Sequence, residues 1–411
     1  MTSPMFSALK PTFYLSHNAI LVVSSLLLAL IVWSLLFWQS NRKPELTSST
    51  QLGQFLLAIE TAAIPLGDAR DVGRIIEAAA SADFVLLGES SHGTSEYYTM
   101  RSEISQQLIA NHGYSFVAIE GDWPYIYQIN RYVKGKVGAP ASAREAMTAS
   151  DRWPDWMWAN QEFLEFVEWL HQHNQQLEPD QRVGLYGMDI QNLELSQQAM
   201  SEVDVDHPKL AQMELAHEHA QAYYDLIQAG SQENWNYRVQ AMKSLVESLR
   251  GHYQMNTDQP AVKAIIWAHN THIGDASATE MAGQGMVNIG QLLREKYDPN
   301  QIFALGFGTE SGTVIAGRGW GEAREIMNIP PARADSIEYA FGQYDLPLFL
   351  LLFDDWEEGS MAQFLARRWP HRAKGVVYNP DREQFNYVGT HLPDRYDGFV
   401  FIRETSALRP L

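Results

Sequence analysis

The apolar residues of this chain fall into short runs, separated by longer stretches in which apolar positions recur at helical spacing. Runs of strand length lie at 84–88 (FVLLG), 115–119 (SFVAI), 183–187 (VGLYG), 262–268 (VKAIIWA), 302–308 (IFALGFG), 347–352 (PLFLLL), 374–378 and 398–402. Few polar residues interrupt them, as expected of strands buried on both faces. Between the first two, Tyr98, Ile104, Leu108 and Ile109 share one helical face from Ser95 to His112, and Gly113 ends the pattern. Strand, helix and strand in this order make a right-handed βαβ unit. Its repetition predicts an α/β fold with a mainly parallel central sheet flanked by helices. The segment 193–257 is long, polar and helical in period, and reads as a helical insertion positioned to cover a site.

One segment has a different pattern. Ala19 to Trp38 (AILVVSSLLLALIVWSLLFW) carries no charge, with Lys10 before it and Arg42 and Lys43 after it. Twenty helical residues span about 30 Å, the thickness of the hydrocarbon layer. The run exceeds the apolar core of a signal peptide and ends in bulky residues, so it predicts an uncleaved membrane anchor. The expected organisation is a tail at 1–18, an anchor at 19–38, a polar linker at 39–52 and a catalytic domain at 53–411. The preferred topology is single-pass in a bacterial inner membrane, with the domain on the periplasmic or extracytoplasmic side.

Composition narrows the function. The 411 residues are 45% hydrophobic, with 49 acidic against 30 basic side chains and a net charge of −19. Such a surface repels phosphate backbones, so no nucleic-acid partner is expected. The absence of cysteine excludes disulfides, thiol nucleophiles and thiolate metal sites.

Candidate chemistry follows the strands. After 84–88 come Glu89-Ser90-Ser91-His92-Gly93; after 115–119, Glu120-Gly121-Asp122; after 183–187, Met188-Asp189. After 262–268 come His269-Asn270-Thr271-His272, and after 302–308, Thr309-Glu310. Ligands of open α/β sheets bind outside the carboxyl ends of the strands, where these acids and histidines gather. Taken singly, each has an ordinary reading as a cap, a turn residue or a satisfied buried acid. Together they suit a histidine flanked by carboxylates that takes a proton from water. Arg101 is spaced to point back and stabilise an oxyanion, and His269 or His272 to hold the carbonyl or protonate the leaving group. Ser90 and Ser91 lack a G-x-S-x-G elbow, which disfavours a serine nucleophile. Glu89, His92, Glu120, His269 and His272 are also possible ligands for zinc or manganese. His217-Glu218-His219 lies on the polar helical segment and reads as surface. Phe163, Phe166, Val167 and Leu170 read as the core face of a helix from Gln161, whereas Trp153, Trp156 and Trp158 are candidates to line an apolar pocket.

Longer motifs carry a family likeness. LLGESSHGTSEYYTMR, FVAIEGDWPYIYQINRYVKG, WMWANQEFLEFVEWL, GLYGMDIQNL, WAHNTHIGDASATEM and FALGFGTESGTV occur in order. From about residue 68 to 408 the chain resembles the erythromycin esterase family. The resemblance implies a hydrolase of carboxylic esters or lactones, with macrolide rings among its substrates and no cofactor. It implies that His92 is the general base, Glu89 and Glu120 its essential carboxylates, and Arg101, His269 and His272 supporting residues. The partner implied is a small lipophilic ester or lactone. Two other readings use the same residues: a metal-dependent hydrolase or peptidase, and a membrane-anchored ligand-binding relative without turnover.

Overall fold

The structure is a computed structural model that describes residues 49–149, 153–200, 221, 234–256, 261–353 and 360–411. The expected tail and anchor at 1–38, and His217-Glu218-His219, lie outside the described residues. Among the described residues no helix is long and apolar enough to cross a membrane. The first described helix, Ser49–Ala62, begins inside the stretch expected to be linker.

Among the described residues eleven strands follow in chain order: β1 (Ile64–Pro65), β2 (Phe84–Leu87), β3 (Tyr114–Asp122), β4 (Gly184–Asp189), β5 (Lys263–Trp267), β6 (Ile302–Gly317), β7 (Arg324–Ile329), β8 (Leu348–Leu352), β9 (Trp369–Arg372), β10 (Tyr387–Thr390) and β11 (Gly398–Thr405). The main sheet runs β1-β8-β11-β6-β2-β5-β3-β4, with β7 paired to β6 and a separate β9–β10 pair. Pairing is parallel from β11 through β6, β2, β5 and β3 to β4, and antiparallel at β8 and β1. This is the expected α/β class with a mostly parallel sheet.

Side chains alternate across the sheet, so each strand feeds two cores. On one face Val85, Leu87, Val117, Ile119, Ile265 and Trp267 pack with Ile104, Leu108, Phe163 and Phe166 of the Ser95–His112 and Gln161–Asn174 helices. On the other, Phe84, Leu86, Phe116, Ala264 and Ile266 pack with Val239, Met242, Val246 and Leu249 of the Asn234–Asn256 helix. That helix, from the segment expected to be an insertion, thus forms part of the layer covering the sheet.

Local chemistry sets the helix ends. Gly113 closes the Ser95–His112 helix in the left-handed region, φ 71°, where a side chain would be strained. Asn160 opens the next long helix, its Oδ1 accepting from the Phe163 amide at 2.7 Å.

Two strand expectations need correction, and β7 was not among the expected strands. Residues 374–378 form no strand; Ser91–Lys374 and Gly317–Val377 are isolated bridges, and the neighbouring strands are β9 and β10. β6 does not stop at 308 but runs on to pair with β7 from Gly312. β7 itself is an edge ribbon with exposed Arg324, Glu325 and Ile326, so its apolar signal is weak.

Candidate active site

The carboxyl ends of adjacent β2, β5 and β3, with β4 beside them, open onto a cavity of about 650 Å³. His92, Glu120, Arg238, His269 and His272 contribute to its wall, alongside Trp158, Trp235, Trp320, Met157, Ile190 and Val376. A few convergent polar groups in an apolar and aromatic enclosure are the usual make-up of a small-molecule site.

His92 sits on the loop leaving β2. Its Nδ1 lies 2.9 Å from Glu89 Oε1, and Glu89 Oε2 accepts from Arg101 Nη2 at 2.7 Å. An ionised carboxylate only accepts, so Nδ1 carries the proton and Nε2 is the basic nitrogen. Burial works to lower the His92 pKa, but the Glu89 hydrogen bond and the charges of Glu120 and Glu89 outweigh it and hold the imidazole above its ordinary value. Arg101 is buried behind Glu89, with Tyr98 and Trp267 ring centroids 4.3 and 4.9 Å from its guanidinium carbon. It is absent from the cavity wall. The expected oxyanion role therefore does not fit Arg101, which instead fixes Glu89.

Glu120 lies where the β3–β4 register slips between Ile119 and Asp122, an irregularity of the kind that re-aims a side chain. Its Oε2 accepts the His269 amide at 2.9 Å, and its Oε1 lies 3.1 Å from both His272 Nε2 and Arg238 Nη2. Burial works to raise its pKa; the His272 charge and hydrogen bond, with His92 and Arg238, hold it well below the usual carboxylate range.

His269 caps the short Asn270–Ile273 helix at the end of β5. Its Nδ1 accepts from the Thr271 amide at 3.3 Å and lies 2.8 Å from Thr271 Oγ1. The proton is thereby placed on Nε2, a buried atom with no hydrogen-bond partner among the described residues. Burial, reinforced by the nearby His92 charge, lowers the His269 pKa well below the imidazole value, so it stays a neutral donor. The His92 and His269 rings are 5.0 Å apart. Asn270 locks this turn by donating from Nδ2 to Phe307 O at 2.7 Å, with His371 Nε2 at 3.2 Å on its other side. His272 stacks on Trp235 at 4.6 Å with the rings 9° apart.

The six expected residues thus fall into two connected groups, Arg101–Glu89–His92 and His269–Glu120–His272. Glu310 does not join them: it lies within the continued β6, beside Gly342 and away from the cavity wall. Ser90 Oγ pairs with Tyr97 OH at 2.7 Å and Ser91 Oγ with Thr94, and neither lines the cavity. Of the tryptophans, Trp158 lines the cavity, Trp153 packs edge-on against Trp320, and Trp156 is wholly buried in the core. Among the described residues no three His, Asp or Glu side chains form a group able to hold an ion.

Sequence reasoning missed Arg238 and Trp235, from the first two turns of the Asn234–Asn256 helix. Arg238 donates from Nη2 to Asp189 Oδ2 at 2.6 Å and from Nε at 3.1 Å, joining the acid at the end of β4 to Glu120. Three-residue spacing places Trp235 and Arg238 on one helical face, which is the available sequence signal. Lys374 is a second omission. Its amide donates to Ser90 O at 2.8 Å, while its Nζ is buried without a hydrogen-bond partner. Burial and the Arg372 charge, only partly opposed by Glu383 and Glu338, lower its pKa to about 7.

The erythromycin esterase family model matches residues 109–211 and 202–405. The chain belongs to the erythromycin esterase family. That membership makes it an esterase-type hydrolase at the level of family. Its fold is similar to a crystal structure described as a succinoglycan biosynthesis protein, at 18% identity and TM-score 0.63, covering 88% of this chain and 100% of that one. It is also similar to a Bacillus cereus protein at 20% identity and TM-score 0.61, covering 88% and 99%. A variant of the erythromycin esterase EreC in its open conformation aligns at 15% identity and TM-score 0.46, covering 82% and 94%.

Proposed function

We propose that this family member hydrolyses a carboxylic ester or lactone, using a water activated by His92. The observation that carries the reading is the Arg101–Glu89–His92 chain, which fixes the imidazole tautomer and leaves Nε2 basic on a residue lining an apolar cavity. Nε2 takes a proton from water as its oxygen attacks the carbonyl carbon. The tetrahedral intermediate collapses, and the imidazolium returns the proton to the departing alkoxide. An ester gives an acid and an alcohol; a lactone opens to one hydroxy acid. His269 Nε2–H is a neutral donor suited to the carbonyl oxygen, and Glu120 holds the His269 turn in place.

The aromatic wall suits a lipophilic substrate, and macrolide lactones are the first class to test. Erythromycin incubated with the purified protein is expected to gain the mass of one water, and His92→Ala to abolish that gain. A His92→Ala protein of undiminished activity refutes the mechanism. We also propose that the uncharged run at 19–38 anchors the enzyme in a membrane, with the domain outside the cytoplasm. Recovery of the full chain from carbonate-washed membranes supports the anchor, and protease access to the domain from the outer side supports the topology.

A further inference from the structure

We infer that Arg238 is a catalytic residue whose guanidinium holds the negative charge developing on the substrate's carbonyl oxygen. This rests on the ester-hydrolysis reading above and supplies the cation which that reading lacks. Attack by water turns a neutral carbonyl into a tetrahedral oxyanion, and a preorganised positive group beside that oxygen is among the larger sources of rate. Arg101 cannot be that group, because its side chain is wholly buried between Glu89, Tyr98 and Trp267.

Arg238 is the only lysine or arginine among the described residues that line the cavity. It shares the cavity wall with both His92 and His269. Its geometry is held from behind: Nε and Nη2 donate to Asp189, and Nη2 also reaches Glu120 Oε1 at 3.1 Å. Nη1 comes within 3.5 Å of His272 Nε2, on the side of the site carrying the two histidines. A planar guanidinium fixed by several such contacts holds its charge in one place and orientation, unlike the mobile ammonium of lysine.

Charge balance points the same way. Among the described residues that line the cavity, Glu120, Asp122 and Asp155 face the single guanidinium of Arg238, an excess of negative charges. Forming the oxyanion adds another, while the proton taken from water appears on His92. Without Arg238, the oxyanion would face those acids with no lysine or arginine among the described residues of the wall, leaving the newly charged imidazolium.

The test pairs turnover with binding of a stable mimic. A benzyl alkylphosphonate monoester carries the tetrahedral anionic centre, and the matching benzyl ketone is its neutral planar control. Calorimetry on the full-length protein should show the phosphonate bound more tightly than the ketone. Arg238→Met should lose at least tenfold in phosphonate affinity and less than twofold for the ketone. Its kcat for a neutral ester should fall by roughly 10²–10³-fold with KM little changed. Arg238→Lys should keep part of the phosphonate preference. If Arg238→Met does not fold, Arg238→Gln carries the same expectations, since it is uncharged yet can still bond Asp189. Unchanged phosphonate preference in either variant overturns the inference, as does a wild type with no such preference. A preserved, Arg238-dependent preference in a protein that hydrolyses no ester would instead uphold the anion site and defeat the hydrolase reading.

Discussion

Replacing Arg101 with methionine should unfold this protein more readily than any comparable surface change, because it leaves the buried Glu89 carboxylate with only its His92 contact. Both partners of the Arg101–Glu89 pair have side chains with no exposure to solvent. The described guanidinium makes one hydrogen bond, at 2.7 Å to Glu89, and otherwise packs on the Tyr98 and Trp267 rings. Removing one member of a buried pair typically costs about 3–5 kcal/mol, since the remaining charge keeps its desolvation penalty without its partner. Methionine would recover part of the ring contact, with each sulfur–aromatic contact contributing about 0.3–1.5 kcal/mol. A net loss of about 3 kcal/mol is therefore expected. Glu89→Gln made on top of Arg101→Met removes the buried charge that lost its guanidinium, so the double variant should be more stable than the sum of the two singles by about 2 kcal/mol, within the range seen for contacting residues. Urea unfolding followed by tryptophan fluorescence measures all four corners of this cycle. An Arg101→Met protein within about 1 kcal/mol of wild type, or a cycle with no coupling, would refute the account of Arg101 as the buried anchor of Glu89.

Other consequences can be checked separately. On the proposed mechanism His92 must be unprotonated, and its pKa is held above the ordinary imidazole value, so kcat/KM should fall on the acid side with a midpoint above 6.5; Glu120→Gln removes one of the charges holding it up and should move that midpoint to lower pH. Gly93→Ala should cost at least about 3 kcal/mol in the same urea assay, since its Cβ would lie 1.9 Å from the Ile315 carbonyl oxygen, on backbone that cannot retreat alone. Lys374→Met should stabilise the fold at neutral pH. Its folded pKa of about 7 lies below the unfolded 10.5, so the unfolded chain binds more protons between these values and stability rises with pH. The gain from methionine should accordingly be about 4 kcal/mol at pH 7 and less than about 1 kcal/mol at pH 10; equal gains at both would show that the lysine is charged where it lies.

Strands β2, β3, β4 and β5 were legible because burial on both faces leaves unbroken apolar runs, and their carboxyl ends then placed Glu89, His92, Glu120, His269 and His272 together. The same rule misplaced Glu310, because a strand's apolar run ends where its burial changes, not where the strand ends. At β6 the chain goes on beyond the sheet as a ribbon with β7. Arg101 was expected to point back towards the site and lies under Glu89 instead of on the cavity wall, since helical spacing does not distinguish a side chain under a carboxylate from one facing the cavity. Arg238 was hidden for a related reason. Its helix reads as polar, and its contact with Asp189 joins residues 49 positions apart, a pairing that local periodicity does not encode.

The order of strands across the sheet bears on how the chain is made. β11, the last strand in sequence, lies inside the sheet between β6 and β8. Until residue 405 has left the ribosome, those two strands have no neighbour on their facing sides, and a nascent chain of more than 350 residues carries two unpaired edges. The segment after β11 also reaches the loop that follows β2, with the Leu408 amide donating to Gly93 O at 3.1 Å and the Ser95 amide to Ser406 O at 2.8 Å. Completion of the sheet and setting of the loop beside His92 are therefore late, shared events in synthesis. An interrupted translation product would have neither, and its open edges would make it a natural client for chaperones.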